Sequence, residues 1–154
     1  MAPRSRRRGR PAARVKLVVD TNALISGLLW HGPPARLLSA CLAGRAQLFL
    51  SLPLLLELEE VLEYPKFAQR LAGRGESAES VTARLRYACH EGVPAAIIPP
   101  AALRDPDDAH VLACAVGAGV DLIVSGDKDL LTLGAFQGVP IVDVAEALKR
   151  LGLS

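Results

Sequence analysis

Apolar residues along this chain follow two rhythms. Short unbroken runs occur at Lys16–Asp20, Gln47–Leu50, Ala95–Ile98, Leu122–Ser125 and Val139–Val142. Between them lie longer stretches in which apolar positions recur every three or four residues. The short runs predict strands and the longer stretches predict helices. Strands that are apolar throughout, rather than at alternate positions, belong in a parallel sheet covered on both faces, so the pattern predicts an α/β fold. Gly32-Pro33-Pro34 ends one helix and restarts another, with Pro34 near the new start. Gly73-Arg74-Gly75-Glu76 is a turn between two further helices. No internal repeat appears, and no linker is long enough to divide the chain.

The first run ends on a carboxylate, Asp20, in "VKLVVDTN". In parallel sheets, ligands bind beyond the carboxyl ends of the strands. Asp20 stands at that edge. It has an ordinary structural explanation too, as the turn or N-cap residue before a helix at Ala23–Leu29. Whether it has company at the edge separates the two.

Three other segments supply that company. "SLPLLLELEEVLE" after the second run is a helix opened by Pro53. Leu54, Leu58, Val61 and Leu62 share its buried face, while Glu59, Glu60 and Glu63 face solvent. Glu57 falls beside Val61, at the border of the apolar stripe. In "RDPDDAHVLACA" Asp105 caps a helix, Pro106 takes its first position, and acids in the first turn suit the macrodipole. Asp108 is one like charge more than capping requires, four residues before Leu112. "LIVSGDKDL" repeats the opening pattern, a buried strand ending in Ser125, Gly126 and Asp127, with Asp127 also placed to cap a short helix.

Asp20 and Asp127 thus end strands, and Glu57 and Asp108 lie early in helices that follow strands. A parallel sheet puts all four on one rim. Carboxylates so close repel one another and raise each other's pKa, a cost that a divalent cation removes. Oxygen ligands without an organised His or Cys favour Mg²⁺ or Mn²⁺ over zinc. His31, His90 and His110 are not expected as ligands. His110, two residues after Asp108, points from another helix face. No Ser–His–Asp or Cys–His arrangement suggests covalent attack, which leaves hydrolysis by metal-activated water.

Composition and charge add a second feature. The chain has 154 residues and is 51% hydrophobic, enough for one core. No apolar run reaches the ~18 residues that span a bilayer, and no signal-peptide pattern follows the basic start, so the expected location is cytoplasmic. Cys41, Cys89 and Cys114 lie in apolar helical patterns without CxxC spacing and are expected as reduced core residues. Of 18 basic residues, six arginines fall in residues 1–14, leaving 12 against 16 acids, a net of −4 for the remainder. This divides the chain into a basic leader, 1–14, expected to be disordered, and one domain, 15–154. The leader reads as a polyanion contact, through Arg6, Arg7 and Arg8, or as a solvated or mis-assigned start. Trp30, after Leu29, reads as core, with a self-association surface as the alternative.

The four segments resemble the PIN-domain nucleases. In that family an Asp ends the first strand, a Glu lies in an early helix, an Asp opens a later helix, and an Asp follows the fourth strand. "VVDTN", "SLPLLLEL", "DPDDAHVLACA" and "IVSGDKDLL" supply Asp20, Glu57, Asp108 and Asp127 in that order, within a match from Val15 to Leu148. The resemblance implies a three-layer α/β/α sandwich with a central, mostly parallel sheet and Mg²⁺- or Mn²⁺-dependent endoribonuclease activity. It is nearest to bacterial VapC-type toxins, which implies a toxin–antitoxin role, an RNA substrate, an antitoxin partner and a homodimer. It implies Asp20, Glu57, Asp108 and Asp127 as catalytic and metal-binding acids. Thr21, Asn22 and Ser125 match supporting polar positions, and Asp129 would assist indirectly or at a second metal. The arginine leader is no part of the family pattern. Two other readings stay open. A haloacid-dehalogenase-like phosphatase would suit "GDKD", but needs a second acid two residues after its nucleophilic Asp, where this chain has Asn22. A catalytically silent protein-binding module would carry an idle acidic rim that only destabilises its fold.

Overall fold

A computed structural model describes residues 14–153. Arg6, Arg7, Arg8 and all of the basic leader but Arg14 lie outside the described residues. The chain runs β1 (Lys16–Val19), α1 (Thr21–Leu29), α2 (Pro33–Leu42), β2 (Gln47–Leu50), α3 (Leu52–Leu62), α4 (Pro65–Ala72), α5 (Ala78–Ala88) and β3 (His90–Glu91). It continues through α6 (Asp108–Ala118), β4 (Leu122–Val124), α7 (Lys128–Leu133), β5 (Ala135–Phe136), β6 (Val139–Val142) and α8 (Val144–Arg150).

The sheet order is β3-β2-β1-β4-β6-β5, parallel except for the β5–β6 hairpin. Leu17 registers with Leu48 on one side and Leu122 on the other, and Val18 and Val19 with Ile123 and Val124. All of these are buried, because both sheet faces are covered by helices. From β1 the chain steps outward to β2 and β3, then returns to β4 on β1's other side. The carboxyl ends of β1 and β4 therefore flank the switch point, where such sheets open a crevice. Among the described residues no helix is long and apolar enough to cross a membrane.

Four expected strands are present, within one residue at each end. The fifth, Ala95–Ile98, is not a strand. β3 is instead His90–Glu91, pairing with Phe49 and Leu50, and residues 92–107 form a long connection. Pro94, Pro99 and Pro100 remove backbone donors that a ladder needs. The Ala95 N–H donates to the Ala113 carbonyl of α6 at 3.0 Å, so the segment lies on a helix rather than a strand. Gly117 permits this approach: a Cβ there would fall 1.8 Å from the Val93 carbonyl oxygen. β5 has no counterpart among the predicted strands. It depends on the two-residue turn Gln137-Gly138, both at positive φ (48° and 82°), the geometry of tight hairpins.

Two smaller expectations are also corrected. Helix α6 starts at Asp108, not at Pro106. Asp105 instead closes a preceding turn, its Oδ1 accepting from the Asp107 N–H at 2.9 Å. Trp30 is not core. It is 45% exposed, edge-on to Phe67 and under the Arg70 guanidinium at 4.9 Å. Arg70 and Arg74 donate to the Leu28 and Leu29 carbonyls, satisfying the end of α1 that Trp30 closes. Cys41 and Cys114 are buried and Cys89 half-buried, and all three are free thiols.

Candidate active site

Asp20 leaves β1 and N-caps α1. Its Oδ1 accepts from the Ala23 N–H at 2.9 Å, while its Oδ2 accepts from the Ser125 hydroxyl. Asp20 thus caps α1 while standing at the carboxyl edge of the sheet. At 6% exposure, burial raises its pKa, the Ser125 and Ala23 hydrogen bonds pull it back, and Asp127 raises it again. Ser125, fully buried at the end of β4, also accepts from the Asp127 N–H at 2.9 Å through its Oγ. Asp127 N-caps α7 through Oδ2, which accepts from the Leu130 N–H at 3.1 Å. One hydroxyl thus bridges the acids at the ends of β1 and β4.

Asp108 opens α6 and meets Asp127 and Asp129, with one oxygen of each of the three mutually within 4.8 Å. Burial, first, and then the charges of Asp127, Asp105 and Asp20 push its pKa up to about 7, and the protonated form is held further by a hydrogen bond to Asp127. Its Oδ2 is buried without a partner. Asp129 is bound side-on by Arg104, with Nε donating to Oδ2 and Nη2 to Oδ1, both at 3.0 Å. This pairing lowers the Asp129 pKa.

Glu57 lies where the helical pattern put it, between the buried Leu54, Leu58 and Leu62 and the outer face of α3. It is not grouped with Asp108 and Asp127. Its group is Asp107 and His110, with ligand atoms mutually within 4.8 Å. His110 Nδ1 stands 3.9 Å from Glu57 Oε1, an atom that is buried and has no hydrogen-bond partner. Burial raises the Glu57 pKa, the Thr21 hydroxyl lowers it in part, Asp107 raises it and His110 lowers it. His110 does leave α6 on a different side from Asp108, but that side faces Glu57. The missed signal was the spacing Asp107–His110, which at i, i+3 shares a helix face. Arg104 was missed as well, and no local pattern marks it, since its partner is 25 residues away. Thr21 is buried and Asn22 is exposed on the first turn of α1.

The arrangement crowds carboxylates together and leaves two buried carboxyl oxygens, Glu57 Oε1 and Asp108 Oδ2, without a hydrogen-bond partner. Such atoms are costly unless a cation or a proton meets them. The donors of the Asp108 group are all oxygen, the set that hard divalent cations take. The residues fit a metal.

A family model described as PIN domain matches residues 16–129. The chain belongs to the PIN-domain family. The match includes Asp20, Glu57, Asp108, Asp127 and Asp129. Members of this family are generally nucleases, and this PIN domain carries its acids around the β1–β4 switch point. A solved structure, that of PAE2754 from Pyrobaculum aerophilum, superposes with a TM-score of 0.52 over 91% of each chain at 19% identity. At that identity the likeness concerns the fold. No curated protein sequence matches this PIN domain.

Proposed function

We propose that this PIN-domain protein is a Mg²⁺- or Mn²⁺-dependent endoribonuclease and the toxin of a VapC-like toxin–antitoxin pair. Asp20, Glu57, Asp108 and Asp127 are its catalytic and metal-holding acids, supported by Thr21, Asn22, Ser125 and Asp129. The observation that carries this reading is the pair of buried, unpartnered oxygens, Glu57 Oε1 and Asp108 Oδ2, on a rim already crowded with acids. A divalent cation held by the Asp108 group would satisfy Asp108 Oδ2 without a proton, and Glu57 Oε1, in its separate group with Asp107 and His110, would need a cation or proton of its own. Bound by the Asp108 group, the cation supplies activation of water and neutralisation of charge on a scissile phosphate.

The chain's own residues orient and exchange protons. The Ser125 and Ala23 donors fix the Asp20 carboxylate in one direction, so it meets its ligand without reordering. Asp108, whose proton is favoured by burial and by the neighbouring carboxylates in the absence of metal, would exchange that proton for the cation. Asp127, whose N–H donates to Ser125 Oγ and whose Oδ2 accepts from the Leu130 N–H, holds the opposite wall. RNA is the proposed substrate because PIN nucleases act on RNA. Residues 15–154 form the proposed nuclease domain, cytoplasmic, held by an antitoxin and able to pair with a second copy. The leader, through Arg6, Arg7 and Arg8, adds sequence-independent phosphate contacts.

The test is incubation of a single-stranded RNA with purified protein in Mn²⁺, in Mg²⁺ and in EDTA, with Asp20→Asn alongside. Internal cleavage that needs the metal and is lost in Asp20→Asn is expected. Cleavage in EDTA, or full activity in the variant, would overturn the proposal.

A further inference from the structure

Arg104 is the one arginine among the described residues paired with a carboxylate of the acidic rim. It lies near the end of the long connection before α6, and its backbone N–H also reaches Asp129 Oδ2, at 3.3 Å. The guanidinium uses its Nε–H and one Nη2–H on Asp129. A guanidinium has five N–H donors in a rigid plane. Three remain here: the outer hydrogen of Nη2 and both on Nη1, which has no partner among the described residues. The side chain of Arg104 is 82% exposed and that of Asp129 only 18%. The used edge thus points into the rim and the unused edge points out of it.

Ion pairs this exposed contribute little to stability, so a fold-stabilising role is a weak account of the arrangement. The geometry supplies another. The planar fork that matches a carboxylate also matches a phosphate. Asp129 occupies the side-on edge and fixes the rotamer, leaving the end-on edge preset toward solvent. A donor fixed in advance loses little freedom when its ligand arrives. Behind it, one oxygen of Asp129 lies within 4.8 Å of oxygens of Asp108 and Asp127.

We infer that Arg104 is a substrate-binding residue: its free Nη1–Nη2 edge takes a backbone phosphate of the RNA at the mouth of the carboxylate site, while its Nε–Nη2 edge stays on Asp129. The identity of the substrate rests on the nuclease reading above. Asp129 is then the anchor of Arg104 rather than a metal ligand. Arg104 also gives an acidic rim the cation that lets a polyanion approach it.

The experiment measures anisotropy of a labelled single-stranded RNA in EDTA across salt concentrations, with Mn²⁺-dependent cleavage measured separately. Arg104→Gln should weaken binding roughly tenfold and make the log–log salt slope shallower by about 0.7, the share of one phosphate on a single strand. Arg104→Lys should lie between that variant and the wild type, since it keeps the charge without the fork. Asp129→Asn should weaken binding by less than Arg104→Gln and leave the salt slope unchanged, because the guanidinium charge remains while half of its two-oxygen anchor is lost. If Arg104→Gln binds with unchanged affinity and slope, the inference fails. It fails too if Asp129→Asn makes the salt slope as shallow as Arg104→Gln does, for then the slope does not report a phosphate contact of the guanidinium itself. RNA that binds through Arg104 but is never cleaved in Mn²⁺ would overturn the nuclease reading and leave this one standing.

Discussion

The Ser125 hydroxyl at the end of β4 donates to the Asp20 carboxylate at the end of β1, across the switch point of the sheet. It is the strongest counterweight to the burial that raises the Asp20 pKa. Ser125→Ala removes that donor and leaves an Asp20 oxygen buried and unpaired. Stability should drop by about 1–3 kcal/mol, and the Mn²⁺ concentration for half-maximal cleavage should rise. Denaturant unfolding and a Mn²⁺ titration check both. An unchanged Mn²⁺ requirement would remove Ser125 from the supporting set.

Asp20→Asn and Asp20→Ala should behave differently in stability and alike in activity. Asn caps helices about as well as Asp, so the first variant keeps the cap of α1 and sheds a desolvated charge. Its metal-free melting temperature should equal or exceed that of the wild type. The Ala variant loses the cap and about 1 kcal/mol. Neither should cleave RNA. Activity in either would contradict the role assigned to Asp20.

On α3 the acids should separate by position. Glu57→Gln should cost at least tenfold in activity, because its Oε1 is the buried, unpartnered atom. Glu59→Gln and Glu60→Gln, which belong to neither acidic group, should change it little. Equal losses from all three would contradict the placement of Glu57 at the site.

Metal-free stability should fall as pH rises toward neutrality. Below the ordinary Asp range, about pH 4, the Asp108 carboxyl is protonated in folded and unfolded chains alike. Above it the unfolded chain releases the proton, while the folded chain keeps it until about pH 7. The folded state therefore binds more protons in that window, and the slope of stability against pH is negative. Asp20 and Glu57, also raised, act in the same sense, whereas Asp129, lowered, adds pH dependence only below the ordinary Asp range. Melting in EDTA between about pH 5 and pH 8 should show the decline, and Asp108→Asn should flatten it. Because a cation competes with the proton, Mn²⁺ should stabilise more at the upper end. A metal-free melting temperature that climbs across this range would overturn the assignment.

Deleting residues 2–14 should weaken RNA binding and make its salt dependence shallower, by about 0.7 in log–log slope for each phosphate that the leader neutralises. Cleavage at saturating RNA should persist. Superimposable binding curves for the full and shortened chains would leave the leader without an RNA role.

Features that depend on near neighbours were legible in the amino-acid sequence. Unbroken apolar runs marked β1, β2, β4 and β6 because strands buried on both faces have no polar positions. The same runs placed Asp20 and Asp127 at strand ends, and the helical period put Glu57 beside the core. Each of those results needs only the local phase of an element. Which acids meet is a property of the folded chain alone. It depends on how α6 is rotated against α3 and α7, which sends Asp108 to Asp127 while Asp107 and His110 go to Glu57. The same holds for Arg104, which finds Asp129 through a connection with no period to read. Ala95–Ile98 looks like a strand in sequence. It is held off the sheet by prolines and by its packing on α6 at Gly117, a distance that no local pattern encodes.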